Sequence, residues 1–127
     1  MGRRHEFSMR VLIVDDSRTS RLILKKVLPP RLLENLVEAS GGSEAVEICR
    51  REAVELMFLD LTMPEPDGYQ VLAMLKETGA VPPTIVVSAD IQPKATERIL
   101  GLGAFAFLKK TPSRAEIESV LERMGMA

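Results

Sequence analysis

Short apolar runs alternate along the chain with stretches whose apolar residues recur at helical spacing, and turn residues mark each junction. This is the βα alternation of a parallel sheet. Arg10 to Asp15 reads as a strand. Ser17 can cap a helix carrying Leu22, Ile23, Val27 and Leu28 at core spacing, which Pro29-Pro30 stops. Leu36 to Ala39 is a weaker strand, and Gly41-Gly42 opens a helix with Ala45, Val46, Ile48 and Cys49. Leu56 to Asp60 is continuously apolar up to its last residue, as a central strand is when helices cover both faces. The loop Met63-Pro64-Glu65-Pro66-Asp67-Gly68 leads into a third helix marked by Val71, Leu72 and Leu75. Thr84 to Val87 is the fourth strand, followed by a helix with Pro93 in its first turn and Ile99, Leu100 and Leu102 near its end. Gly103 leads into a fifth strand, Phe105 to Lys109. Ser113-Arg114-Ala115-Glu116 then forms a capping box for a last helix that turns Ile117, Val120, Leu121 and Met124 inward.

Open sheets of this kind bind ligands outside the carboxyl ends of their strands. Four of the five strands end in polar residues: Asp15-Asp16, Asp60, Ser88 and Lys110. If the first and third strands are neighbours, three carboxylates gather in one crevice, where they oppose one another's ionisation and call for a hard divalent cation. With few protein carboxylates and no dedicated cage, Mg²⁺ fits better than Ca²⁺, because it keeps several waters and accepts phosphate oxygens. A carboxylate nucleophile, Mg²⁺, a lysine and a hydroxyl are what phosphoryl transfer to an aspartate requires.

At these residues the chain resembles the receiver domains of two-component response regulators, especially the single-domain chemotaxis type. The matching segments are Asp15-Asp16 after Val-Leu-Ile-Val, the string from Asp60 to Gly68, Ser88-Ala89 after Thr-Ile-Val-Val, and the run from Gly103 to Lys110. The resemblance covers Met9 to about Met124. It implies a flavodoxin-like fold, a doubly wound five-stranded parallel sheet in the order 2-1-3-4-5 with five helices. It also implies that Asp60 is the phosphoacceptor, that Asp16, Asp60 and the carbonyl of Thr62 bind Mg²⁺, and that Asp15 acts through a water. Ser88 and Lys110 would contact the phosphoryl group, and Phe107 would be the aromatic that changes position on activation. The phosphoryl donor would be a phosphohistidine on a sensor histidine kinase, and the output a downstream protein target such as the chemotaxis machinery.

The Lys109-Lys110 pair needs a register. Counted from Gly103, the family pattern places its aromatic at Phe107 and its lysine at Lys110, which leaves Lys109 exposed on the opposite strand face. The family usually has proline directly after this lysine, with a cis bond; here Thr111 follows and Pro112 comes one later. A cis bond at a non-proline residue costs about 2.5–4 kcal/mol, so a trans Lys110–Thr111 peptide is favoured on local grounds.

Each residue also has a bland reading. Adjacent acids after a strand serve helix starts, Ser88 suits a loop or cap, a Lys pair suits a solvated strand end, and Phe105 with Phe107 suits a core. Cys49 reads as a small buried hydrophobe, and Gly68 as backbone geometry at a helix start. Asp60 is the outlier, since a carboxylate closing a buried apolar strand costs free energy unless paired. Gly101-Leu-Gly103-Ala-Phe-Ala106 mimics a dinucleotide fingerprint but stands after a helix and before a strand, the reverse of the required order. Ser17-Arg-Thr19-Ser20 is where a flavodoxin would cradle a flavin phosphate, and the acids before it disfavour that use.

Composition narrows the function further. The chain has 127 residues, with 17 Lys+Arg against 18 Asp+Glu, one Cys and no Trp. Signs are interspersed, so no broad positive field is available to collect nucleic acid. The apolar runs fall far short of the about 20 residues that cross a bilayer. A lone cysteine gives no reason to expect an oxidising compartment, and a cytoplasmic location is expected. Residues 1–8 have no periodicity and precede a second methionine, so they are expected to be an expression leader, with 9–127 as one domain. They contain the chain's single histidine, His5, so residues 9–127 have no Ser-His-Asp or Cys-His catalysis and no phosphohistidine of their own. The expectation is a signalling switch that catalyses only its own phosphorylation and dephosphorylation. Its rivals are a Mg²⁺-dependent phosphohydrolase or nuclease, of flavodoxin-like or Toprim-like architecture, using Asp15, Asp16 and Asp60, and a receiver serving only as a docking module.

Overall fold

The computed structural model of the chain describes residues 8–89 and 92–126. Five strands, β1 (Val11–Val14), β2 (Leu36–Ala39), β3 (Leu56–Leu59), β4 (Thr84–Ser88) and β5 (Ala106–Lys109), form one parallel sheet in the order β2-β1-β3-β4-β5. Five helices connect and follow them: α1 (Arg18–Val27), α2 (Gly42–Arg51), α3 (Gly68–Glu77), α4 (Ala95–Gly101) and α5 (Arg114–Arg123). The expected fold class and strand order are both present.

Side chains on a strand point alternately to its two faces, and the three central strands bury both. Val11, Ile13, Leu56, Phe58, Ile85 and Val87 pack with Leu24 and Leu28 of the α1 segment and with Ile117, Val120 and Leu121 of α5. Leu12, Val14, Met57, Leu59 and Val86 pack with α2, α3 and α4 through Val46, Val71, Leu72, Leu75 and Ile99. This two-sided burial explains why β1, β3 and β4 read as unbroken apolar runs.

Three details depart from the sequence expectation. Leu22 and Ile23 are 46% and 42% exposed, because the inward stripe of α1 is centred on Leu24 and continues to Leu28, one turn on. Leu100 is 47% exposed for the same reason: its neighbour Ile99 occupies the inward position. Pro93 precedes α4 rather than lying in its first turn, for the helix begins at Ala95 with Lys94 at its N-cap. Pro29-Pro30 does end α1, after which Pro30–Leu33 forms a 3₁₀ turn that buries Leu32. Of the expected leader, residues 1–7 lie outside the described residues; the hydroxyl of Ser8 donates to Glu34 at 2.9 Å.

The helix starts follow local chemistry. Ser17 Oγ accepts from the Ser20 amide at 3.1 Å, and the Ser113–Glu116 capping box forms as expected. A second box, Asp67 with Gln70, starts α3. Arg114 donates to the carbonyls of Lys26 at 3.0 Å and Val27 at 3.2 Å, supplying partners at the C-terminal end of α1. On the opposite face Arg98 of α4 lies 3.8 Å from the centroid of the Tyr69 ring on α3.

Candidate functional site

Register assembles the site. Val14 of β1 pairs with Leu59 of β3, so the next residues, Asp15 and Asp60, leave adjacent strands side by side. The Asp60 amide still donates to the Val14 carbonyl at 3.0 Å. Ser88 pairs with Lys109 across β4 and β5, which carries Lys110 over the same end of the sheet. Asp15, Asp16 and Asp60 there present carboxylate oxygens that lie within 4.8 Å of one another.

Lys110 binds this cluster directly. Its Nζ is 2.9 Å from Asp15 Oδ2, 3.2 Å from Asp60 Oδ2 and 3.4 Å from Ser20 Oγ. Lys109 points away and is exposed, which fixes the register expected from the glycine count. The Lys110–Thr111 peptide is cis, as is Glu65–Pro66, so the trans isomer favoured on local grounds at Lys110 is not the one present.

Each carboxylate has its own surroundings. Asp60 is 4% exposed and Asp15 5%, whereas Asp16 is open to solvent. Asp15 Oδ1 accepts from the Ser17 amide at 2.9 Å, and Asp60 Oδ1 from the Thr62 amide at 3.3 Å. Ser88, fully buried, hydrogen-bonds Asp60 through its hydroxyl. Burial pushes the Asp60 carboxyl above its ordinary range; the charge of Lys110 opposes this, the charge of Asp15 adds to it, and the bonds from Ser88 and Thr62 hold it down. Burial also works against the charge on Lys110, but the hydrogen bond it donates to Asp15 and the charge of Asp60 outweigh it and raise its affinity for its proton.

Asp15, Asp16, Asp60, Thr62, Ala89 and Lys110 line an open cleft of about 440 Å³. Three carboxylates and one ammonium leave two negative charges there, and the donors are all hard oxygens, so the residues suit a divalent cation of the Mg²⁺ class. Of the seven residues singled out in the sequence, Asp15, Asp16, Asp60, Thr62 and Lys110 line this cleft, and buried Ser88 reaches it through its bond to Asp60. Phe107 does not line it: it pairs with Val86 on β4 and packs, half-buried, against the core beneath α4. Ser88 shares the Val86 face of the strand two residues on, so Phe107 and the cleft are linked through β4. Ser20 was not foreseen as a lysine partner. Its only sequence signal is its position one helical turn beyond the Asp15-Asp16 pair. Cys49 is held at about 11 by burial, which keeps the thiol protonated and unreactive, in line with a packing role. Among the described residues, no helix is long and apolar enough to cross a membrane.

Known proteins resemble this chain in sequence and in fold. A family model described as the response regulator receiver domain matches residues 11–122. The chemotaxis protein CheY of Bacillus subtilis is 35% identical over 101 residues, covering 80% of this chain and 84% of that protein. A transcriptional regulator of Pseudomonas aeruginosa is 30% identical over 108 residues, and there the chain spans 52% of the relative's length. Among solved structures, the signal receiver domain of the response regulator NarL of Mycobacterium tuberculosis superposes with a TM-score of 0.78 at 28% identity, covering 94% of this chain and 98% of that one. The CheX–CheY complex of Borrelia burgdorferi, which holds BeF₃ and Mg²⁺, superposes with a TM-score of 0.79 at 27% identity, covering 94% and 90%. A five-stranded sheet in this order, with the acidic cluster and its lysine at the carboxyl ends, places this chain in the family of response regulator receiver domains.

Proposed function

We propose that this chain is a phosphorylation-controlled switch in which Asp60 accepts a phosphoryl group from the phosphohistidine of a sensor histidine kinase and the new state binds a protein target. The observation that carries this reading is the buried Asp60 carboxylate, tied to Lys110 and opening on a cleft shared with Asp15 and Asp16. An Asp60 carboxylate oxygen attacks phosphorus, the P–N bond to the donor imidazole breaks, and the imidazole leaves and takes up a proton. Reversal of the signal is hydrolysis: water attacks the acyl phosphate, inorganic phosphate leaves, and the carboxylate is restored. Asp16, Asp60 and the Thr62 carbonyl would hold Mg²⁺, with Asp15 acting through a water, and the ion would supply positive charge for the phosphoryl oxygens. Lys110 supplies fixed positive charge and N–H donors to those oxygens, and Ser88 supplies a hydroxyl.

The chain thus catalyses only its own phosphorylation and dephosphorylation and turns over no diffusible substrate. A cytoplasmic location follows from a cytoplasmic phosphohistidine donor. The similarity to a chemotaxis protein and to a CheY seated on a protein partner supports a protein target, with chemotaxis machinery as the class to try first.

Loss of one ligand carboxylate should weaken metal binding and phosphorylation together. Asp16→Asn is therefore expected to lower Mg²⁺ affinity at least about tenfold, read by metal titration of a site-sensitive resonance, since a hard cation depends on ligand charge. Unchanged affinity would reduce the acidic pair to a helix-start preference.

Switching is tested separately. Beryllofluoride with Mg²⁺ should perturb amide resonances around Phe107 and along α4, because a packed aromatic has discrete positions and a differential of about 1.4 kcal/mol shifts a two-state equilibrium tenfold. Ser88→Ala should reduce that distant response more than the response beside Asp60. Changes confined to the cleft would mean binding without switching.

A further inference from the structure

The hydroxyl of Ser20 has no place in the reading so far, yet it faces the ammonium of Lys110. An ammonium has three N–H donors and no acceptor. Lys110 finds three acceptors: Asp15 Oδ2 at 2.9 Å, Asp60 Oδ2 at 3.2 Å and Ser20 Oγ at 3.4 Å. On this side of the sheet the neighbouring wall is largely apolar, built of Ile13, Leu24, Phe58 and Val87, with Thr111 as the other hydroxyl that lines it. Ser20 is also held in place, because its amide donates to the Ser17 cap in the first turn of α1. Its neighbours Arg18 and Thr19 are exposed.

We propose that Ser20 is a positioning residue, its hydroxyl anchoring the Lys110 ammonium to α1 so that a phosphoryl group forming on Asp60 meets a lysine already in place. The proposal rests on the phosphoacceptor reading above and adds a residue to it. When Asp60 becomes an acyl phosphate, the hydrogen that faced its carboxylate turns to a phosphoryl oxygen. Asp15 and Ser20 keep the other two hydrogens, so the ammonium need not search for its position. Without the Ser20 hydroxyl, the third donor turns to solvent, because the Lys110 side chain is 25% exposed, and the ammonium loses its tie to α1.

The test uses the full chain with Ser20→Ala, Ser20→Thr and Thr19→Ala. The ¹⁵N resonance of the Lys110 ammonium is recorded in the resting protein, and labelling by acetyl phosphate with Mg²⁺ is followed by intact mass. Ser20→Ala is expected to shift the Lys110 resonance, leave that of Lys109 unmoved and slow labelling about fivefold, the net worth of one ordinary hydrogen bond. Ser20→Thr, which keeps the hydroxyl, should restore both, and Thr19→Ala should resemble wild type. A wild-type Lys110 resonance and rate in Ser20→Ala would overturn the proposal, as would a loss that Ser20→Thr does not rescue, since that is a helix effect. A wild-type chain that never acquires a phosphoryl group would instead overturn the phosphoacceptor reading, and this proposal with it.

Discussion

Lys110→Ala will slow phosphorylation of the chain about a hundredfold, the usual cost of removing one preorganised donor from developing charge, while Lys109→Ala leaves the rate unchanged. The difference follows from placement: Lys110 touches Asp15 and Asp60, and Lys109 ends β5 in solvent. Stability should respond as well. Because Lys110 binds its proton more tightly in the fold than in the unfolded chain, its pairing is complete at neutral pH and fades only as pH rises through its own raised value. Its removal leaves Asp15 and Asp60, 5% and 4% exposed, facing each other without a counter-charge, and Asp60, already raised by burial, takes up a proton more readily. Lys109→Ala, a surface change, should stay within about 0.5 kcal/mol of wild type. Rates by intact mass and urea midpoints read both effects. Equal damage from the two variants would break the assigned register.

Gly68→Ala will destabilise the fold by about 3 kcal/mol, the upper part of the range for overpacking, and will disturb Asp60 directly. A Cβ on Gly68 would stand 2.3 Å from the Asp60 carbonyl oxygen and 2.7 Å from Leu61 Cα. Both are backbone atoms, so no side-chain rotation relieves the contact, and α3 must back away from the end of β3. Gly68 therefore serves a close approach of helix to strand. Its torsion is not the reason, as the positive-φ glycines are Gly79, Gly103 and Gly125. Gly41→Ala is the control: its Cβ would meet nothing within 4 Å, and the backbone there is extended. A urea midpoint for Gly68→Ala equal to that of Gly41→Ala would show that the helix can shift at no cost.

How legible these features were depends on the range of the interaction that fixes each one. The central strands were readable because two-faced burial demands unbroken apolar runs, and Leu56 to Leu59 satisfies it without exception. Asp60 was readable because a carboxylate after such a run needs a compensating partner. The inward face of α1 is centred on Leu24 and not on Leu22 or Ile23, since four apolar residues in that helix leave its stripe ambiguous until the sheet chooses Leu24. Gly68 looked like an ordinary helix start because its constraint is a through-space contact with Asp60. The link from Lys110 to Ser20 joins residues 90 positions apart, with no periodicity or composition to signal it.

Phosphoryl transfer to Asp60 is the claim on which the rest depends, and intact-mass spectrometry of wild type and Asp60→Asn, incubated with acetyl phosphate and Mg²⁺, addresses it directly. The variant is a fair comparison. Burial raises the Asp60 proton affinity in the fold, so the ionised side chain costs stability as pH rises through that raised value, and asparagine carries no such charge. Asp60→Asn is therefore expected to fold at least as well as wild type at neutral pH, which a urea curve verifies. Wild type should gain one phosphoryl group, lost when Mg²⁺ is chelated beforehand, and folded Asp60→Asn should gain none. Equal labelling of the two would contradict Asp60 as the acceptor.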